Sequence, residues 1–155
     1  MIRKARIKDV KEIHLILKHF AQEGLLLARS ISSLYDQLRD FIVFEGEDES
    51  ILGICALHIM WEDLAEIRSL AVKEVAQRKG IGRQLVKHCL REAESFGLDR
   101  VFTLTYQAGF FRTLGFADID KKELPHKIWS DCIHCTMFPD CDEEALIINL
   151  PSRSV

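Results

Sequence analysis

Apolar positions recur along this chain with two different periods, and the change-overs mark its elements. Ile2 to Ile7 mixes apolar and basic residues and predicts a short strand. Asp9 stands where a cap belongs, ahead of Val10, Ile13, Leu17 and Phe20, whose steps of three and four residues predict an amphipathic helix. Leu25 to Ser30 reads as a loop, and Ser32 or Ser33 opens a second short helix through about Arg39. The runs Phe41 to Glu45 and Ile51 to Met60, separated by the polar turn Gly46 to Ser50, predict an antiparallel hairpin. Trp61-Glu62-Asp63 turns the chain into a third strand, Ala65 to Val72. After Gly80 and Gly82 comes a long helix with the stripe Leu85, Val86, Cys89, Leu90, Ala93 and Phe96, ended by Gly97. Val101 to Thr105 is a strand, Ala108 to Leu114 a short helix closed by Gly115, and Phe116 to Ile119 and Ala145 to Leu150 are the last strands. A strand, helices, antiparallel strands and then strand–helix–strand–helix–strand make an α/β fold with a mixed central sheet, not a doubly wound dinucleotide-binding pattern.

Composition narrows the class. The 155 residues suit a single domain, 1–155, with 48% hydrophobic and 29% charged residues, the balance of a soluble globular protein. A net charge of -3 gives no electrostatic footprint for nucleic acid. No apolar run approaches the length of a membrane span, and the basic start Met1 to Arg6 lacks the apolar core of a signal peptide, so a cytoplasmic location is expected. The five cysteines are an odd number without a secretory signal, which argues against a disulfide framework; Cys55 and Cys89 fall in apolar patterns and read as core.

Candidate chemistry concentrates after the third strand. Ser69-Leu70-Ala71-Val72 runs into Gln77-Arg78-Lys79-Gly80-Ile81-Gly82, which opens the long helix. The first amides of a helix are unpaired and carry the positive end of its dipole, so a pyrophosphate can sit there. Glycines let the backbone approach phosphates closely, and Arg78, Lys79 and Arg83 add charge. The strings G-x-x-x-x-G-K-[ST] and G-x-G-x-x-G are both absent. Gln77-x-x-Gly80-x-Gly82 after that strand resembles the acetyl-CoA signature of the GNAT superfamily of N-acetyltransferases, and Phe110 to Phe116, ending in Gly115-Phe116, resembles that superfamily's second motif.

The resemblance implies a GNAT-type fold with splayed strands and acetyl-CoA as co-substrate. It implies that the backbone of Leu70 and Val72 pairs with the pantetheine arm, that the amides of Arg78, Lys79, Gly80, Ile81, Gly82, Arg83 and Gln84 hold the pyrophosphate, that Ala71 and Gln77 belong to the same cofactor site, and that a strand bulge opens a cleft against Val101 to Thr105. Glu66 lies where members often carry the general base for deprotonating the amine. The usual general acid is a tyrosine at the position held here by Phe111, which cannot donate a proton and is expected against the cofactor; Tyr106 is either the alternative donor or a buried strand-end tyrosine, in which case the thiolate leaves with help from backbone amides or water.

Segments including Leu27 to Ser30, Leu64 to Val72 and Leu124-Pro125-His126-Lys127-Ile128-Trp129-x-x-Cys132-x-x-Cys135 are similar to the short stand-alone N-acetylglutamate synthases. That similarity implies L-glutamate as acceptor, whose two carboxylates call for cations, and places Arg29, Ser30, Arg68 and Lys127 on it. Arg68 is two residues from Glu66 and so shares its strand face. Cys132, Cys135 and Cys141 could hold a structural zinc, with or without His134, but one C-x-x-C without a second ligand pair does not favour it, and a covalent cysteine route ranks behind direct transfer. A homodimer stays open by analogy with the superfamily. So do an acetyltransferase for another amine or a protein N-terminus, and a non-catalytic acyl-CoA- or metal-sensing module.

Overall fold

The computed structural model describes residues 1–125 and 143–151. Seven strands form one sheet in the order β1-β2-β3-β4-β5-β7-β6. They are β1 (Ile2–Lys4), β2 (Phe41–Glu45), β3 (Ile51–Trp61), β4 (Leu64–Val72), β5 (Arg100–Thr105), β6 (Ala117–Asp118) and β7 (Glu144–Asn149). Every neighbouring pair is antiparallel except β4 and β5, which the long helix α3 (Ile81–Ser95) joins in parallel.

Helices α1 (Val10–Gln22) and α2 (Ile31–Asp36) cover one face of the sheet. Val10, Ile13, Ile16, Leu17 and Phe20 of α1 are buried there against Phe41, Val43, Ile54, Ala56 and Ala71. The other face carries α3 and the short α4 (Ala108–Thr113), with Leu85, Val86, Cys89 and Phe111 packed on Cys55, Leu57, Ala65 and Ile67. Alternation along β3 and β4 therefore splits their side chains between two cores, as the strand period requires. No described helix is long and apolar enough to cross a membrane.

Several local expectations are corrected. The first strand stops at Lys4, because Ile7–Asp9 turns into a 3-10 helix. Asp9 does not cap α1 with its side chain. Its carboxylate instead accepts from the Arg6 amide at 2.7 Å and takes a two-pronged bond from Arg3 at 2.8 and 3.0 Å. The second helix begins at Ile31, one residue before the serines expected to open it, because the Ser30 hydroxyl accepts from the Ser33 amide at 3.1 Å and caps it. That helix ends at Asp36, and Leu38–Asp40 forms a separate 3-10 turn. Phe96, read as the end of the α3 stripe, lies past the helix and is exposed. Cys55 and Cys89 are buried free thiols whose sulfurs lie 3.7 Å apart; that contact and then burial push the Cys55 thiol up.

The Arg3–Asp9 pair ties β1 to the start of α1. The Arg3 bond holds the Asp9 carboxyl below its ordinary value against the opposing effect of burial. A lowered folded value means the pair stabilises above the ordinary carboxylate range, and this contribution is lost as pH falls through the folded value. Asp9→Asn should lower unfolding free energy by about 2 kcal/mol, since the charge-assisted bonds to Asp9 are lost while Arg3 keeps its Glu45 partner at 2.7 Å. Urea unfolding at neutral pH checks the size, and a wild-type–variant gap that narrows only below about pH 4 checks the sign.

Candidate active site

A break in the sheet makes the site. Along β3, Ile54 faces Ala71 and Ala56 faces Arg68, so Ser69 and Leu70 together oppose the single Cys55. Ser69, within this bulge, takes a φ of 59°, a left-handed conformation that side chains other than glycine seldom adopt. Past this bulge β4 leaves its other neighbour. The parallel pairing with β5 runs from Leu64↔Arg100 to Ile67↔Thr103 and ends there. The Thr103 hydroxyl donates to the Ile67 carbonyl at 2.9 Å and closes the vertex. Beyond it, β5 continues along β7 alone, and a wedge opens between residues 68–72 and 104–105.

The backbone on the β4 wall of this wedge has a determined direction. The Lys73 amide donates to the Leu52 carbonyl at 2.9 Å, so residue 73 points at β3. Alternation then turns the amides and carbonyls of Leu70 and Val72 into the wedge, where an extended arm could pair with them as an added strand. Ala71 points the other way, its side chain buried against α1. The Val72 carbonyl already accepts from the Gln77 side-chain nitrogen at 2.9 Å. Gln77 is thus a strut that fixes the turn between β4 and α3.

The mouth of the wedge is the N-terminus of α3. Arg78 and Gly80 both adopt left-handed backbone, with φ of 65° and 81°. Gly80 is the cap residue, and no side chain caps the helix. A Cβ on Gly80 would meet nothing within 4 Å, so the approach to the first amides is open. A Cβ on Gly82 would stand 3.5 Å from the Phe110 ring and 3.7 Å from Val72. Ile81 is buried, while Arg78, Lys79, Arg83 and Gln84 are exposed around the opening. The amide of Gln84 donates to the Gly80 carbonyl at 3.1 Å, so the free amides end before it, a correction to the expected phosphate-binding stretch. A cradle with no Cβ wall and uncapped amides fits the pyrophosphate of a CoA ester.

Phe111 is likewise not where it was expected. It is 2% exposed, with its ring edge-on to Phe110 and Phe116 inside the α3-side core. Phe110, one residue earlier, is the ring beside Gly82. Tyr106 follows β5 directly and is half-buried. Gly82→Leu should fill the gap between Phe110 and Val72 from a half-buried position at the helix start. We expect a rise of about tenfold or more in the Kd for CoA with the melting midpoint nearly unchanged, measured by titration calorimetry and thermal denaturation.

On the opposite face of β4, Glu66 and Arg68 stand side by side, as their two-residue spacing predicts. Arg68 Nη2 lies 2.8 Å from Glu66 Oε1, and the Glu66 side chain is only 12% exposed. Arg29, in the loop before α2, feels the charges of Arg68, Glu66 and Asp40. Its guanidinium donates to the Gln37 side-chain oxygen and at 3.4 Å to the Ser33 hydroxyl, and lies over the Phe41 ring. Burial holds the Arg29 guanidinium below its ordinary value and the Arg68 charge adds to this, while Asp40 and Glu66 oppose both. Arg29 Nη1 and Arg68 Nε are buried without a hydrogen-bond partner. Two orphaned guanidinium nitrogens beside a carboxylate are costly unless an anion comes to them. Lys127, His126, His134, Cys132, Cys135 and Cys141 lie outside the described residues.

Comparison with known proteins agrees with this geometry. Residues 10–116 match the model of the Acetyltransferase (GNAT) family. The chain belongs to the GNAT family. It is an acetyl-CoA-dependent N-acetyltransferase of GNAT type. An uncharacterised N-acetyltransferase of Chlorobaculum tepidum is 40% identical over 149 residues, covering 96% of each chain. An amino-acid acetyltransferase of Mycobacterium tuberculosis is 33% identical over 133 residues, 84% of this chain and 76% of that one. Among solved structures, a Mycobacterium tuberculosis protein in complex with CoA superposes with a TM-score of 0.83 at 28% identity, covering 97% of this chain and 99% of the other. The N-acetylglutamate synthase of Neisseria gonorrhoeae, complexed with coenzyme A and N-acetyl-glutamate, gives 0.85 at 27% identity; this GNAT chain, covered to 97%, spans 35% of that longer protein.

Proposed function

We propose that this GNAT enzyme acetylates the α-amine of L-glutamate, giving N-acetyl-L-glutamate. The observation that carries the reading is the pair of buried, unpartnered guanidinium nitrogens on Arg29 and Arg68, gathered beside Glu66. Glutamate brings two carboxylates and one ammonium. Arginine forks match carboxylates with paired, charge-assisted hydrogen bonds, and a cationic acceptor such as a polyamine would be repelled by them. The amino-acid acetyltransferase and the N-acetylglutamate synthase among the relatives support the same class.

The work of each group follows from its place. Acetyl-CoA supplies a thioester, a carbonyl already activated towards an amine. The wedge backbone at Leu70 and Val72 aligns an extended arm, and the open amides of α3 anchor phosphates, which converts a bimolecular encounter into an oriented one. Arg29 and Arg68 hold the acceptor by its carboxylates. An ammonium has no lone pair, so Glu66 takes a proton from it, directly or through one water, before attack. Arg68 fixes the Glu66 carboxylate towards the cleft face of β4. Tyr106, just past the end of β5 on the open side of the wedge, is the side chain proposed to protonate the departing thiolate.

Thiol release from acetyl-CoA, measured across L-glutamate, L-glutamine, L-aspartate, L-lysine and spermidine, tests the proposal. Turnover confined to glutamate, or strongest with it, is the expected result. Strongest turnover with lysine or spermidine would discard the acceptor assignment. Tight CoA binding without turnover on any amine would favour a sensing module.

A further inference from the structure

A second acid–base pair lies beside Glu66 and is used by nothing described so far. In the β3–β4 ladder, His58 is the direct cross-strand partner of Glu66. Directly opposed antiparallel residues point to the same face with Cβ atoms about 4.5–5.5 Å apart, so the imidazole and the carboxylate are neighbours. His58 Nδ1 lies 2.6 Å from Asp40 Oδ2, and neither side chain is fully covered, at 27% and 23% exposed. Asp40 also lines a cleft of about 470 Å³ bounded by Lys4, Arg39, Leu57, Ile59 and Glu92. Glu66, His58, Asp40 and that cleft therefore form a line from the acceptor site to the far side of the sheet edge.

We infer that the Asp40–His58 pair is a proton relay that carries the acceptor ammonium's proton away from Glu66. This rests on the amine acetylation proposed above. In the tautomer that carries its proton on Nδ1, His58 donates to the Asp40 carboxylate and leaves the Nε2 lone pair as the acceptor. The proton moves from the ammonium to Glu66 and from Glu66 to His58 Nε2. The resulting imidazolium is held by the Asp40 carboxylate until Nε2 releases the proton to water. Glu66 is returned ionised for the next turnover, and no other reactant is needed. A relay serves Glu66 because its side chain is only 12% exposed and an acceptor bound beside Arg29 and Arg68 would cover it further. The charged groups around His58 are Asp40 from the turn before β2, Glu66 and Arg68 from β4, and Arg29, which feels both Asp40 and Glu66.

The test is kcat/KM for glutamate from about pH 6 to about pH 9.5, the span over which histidine and then an amine change charge. It compares wild type with His58→Gln, Asp40→Asn and Glu66→Gln, with CoA affinity and melting midpoint recorded for each. We expect His58→Gln to lose about tenfold or more near pH 7, to lose the wild-type acid limb, and to recover towards wild type as the amine deprotonates unaided at high pH. Asp40→Asn should shift in the same direction by less. A His58→Gln profile that follows wild type at every pH, or lies below it by one constant factor, overturns the relay. So does a loss matched by weakened CoA binding or a lowered melting midpoint. Full activity in Glu66→Gln with the acid limb still lost in His58→Gln would remove Glu66 as base and keep the proton on His58. The reverse pattern would keep Glu66 and remove the relay.

Discussion

Glu66→Gln should lower kcat for glutamate acetylation by about 10²- to 10⁴-fold near neutral pH, the range that a positioned general base contributes. The substitution is close to isosteric, and an amide oxygen can still accept from Arg68 Nη2, now 2.8 Å from the carboxylate. Packing between β3, β4 and β5 should therefore survive. What is lost is the group that can take a proton from the ammonium. The deficit should shrink as pH rises and free amine appears in solution. CoA affinity should stay within about twofold of wild type, because the phosphate cradle at Gly80 lies beyond the Ser69 bulge. Initial-rate kinetics against pH, with CoA titration in parallel, check all three points. A kcat close to wild type would remove Glu66 from the reaction.

Arg29→Met should raise the KM for glutamate by about 10²-fold or more while changing the KM for acetyl-CoA little, since truncating a buried charged partner costs about 2–5 kcal/mol of binding. Methionine keeps apolar volume over the Phe41 ring, where the Arg29 guanidinium sits 5.7 Å from the ring centre. It removes the orphaned Nη1 and the bonds to Gln37 and Ser33. Arg29→Lys keeps the charge without the fork and should fall between the two. If Arg29 meets the side-chain carboxylate of glutamate, the variant should lose most of its preference for glutamate over glutamine. Steady-state kinetics with both amino acids read this directly. Equal losses for both would place Arg29 on the α-carboxylate. An unchanged KM for both would make it a structural residue only, which its bonds to Gln37 and Ser33 and its place over Phe41 would then explain.

Much of this protein is written locally. The stripe on α1, the hairpin of β2 and β3, and the glycines opening and following α3 depend on residues a few positions apart, so periodicity and turn chemistry reveal them. The pairing of Glu66 with Arg68 is equally local, since a two-residue step on a strand keeps one face. The open start of α3 is legible for the same reason: strand, loop, glycine and helix start follow one another in sequence. Small errors also have local causes. Ser30 took the cap that Ser32 or Ser33 was expected to provide, because the helix began one residue sooner. Phe110 rather than Phe111 faces Gly82, because on a helix as short as α4 one residue turns a side chain by about 100°.

Contacts that cross the sheet were decided only by tertiary structure. His58 meets Asp40 eighteen positions away and faces Glu66 across a ladder. That register is set by the Ser69 bulge and by a second irregularity near Trp61, which no local pattern counts. Arg29 reaches Arg68 and Glu66 only once α2 is laid on the sheet. Its unpartnered nitrogen is a property of burial, not of composition. The sequence by itself determined the elements, the glycine-opened start of α3 and the Glu66–Arg68 face, because period and spacing are short-range. The wedge, the converging guanidiniums and the Asp40–His58 pair belong to the tertiary structure, because register and burial depend on the whole sheet.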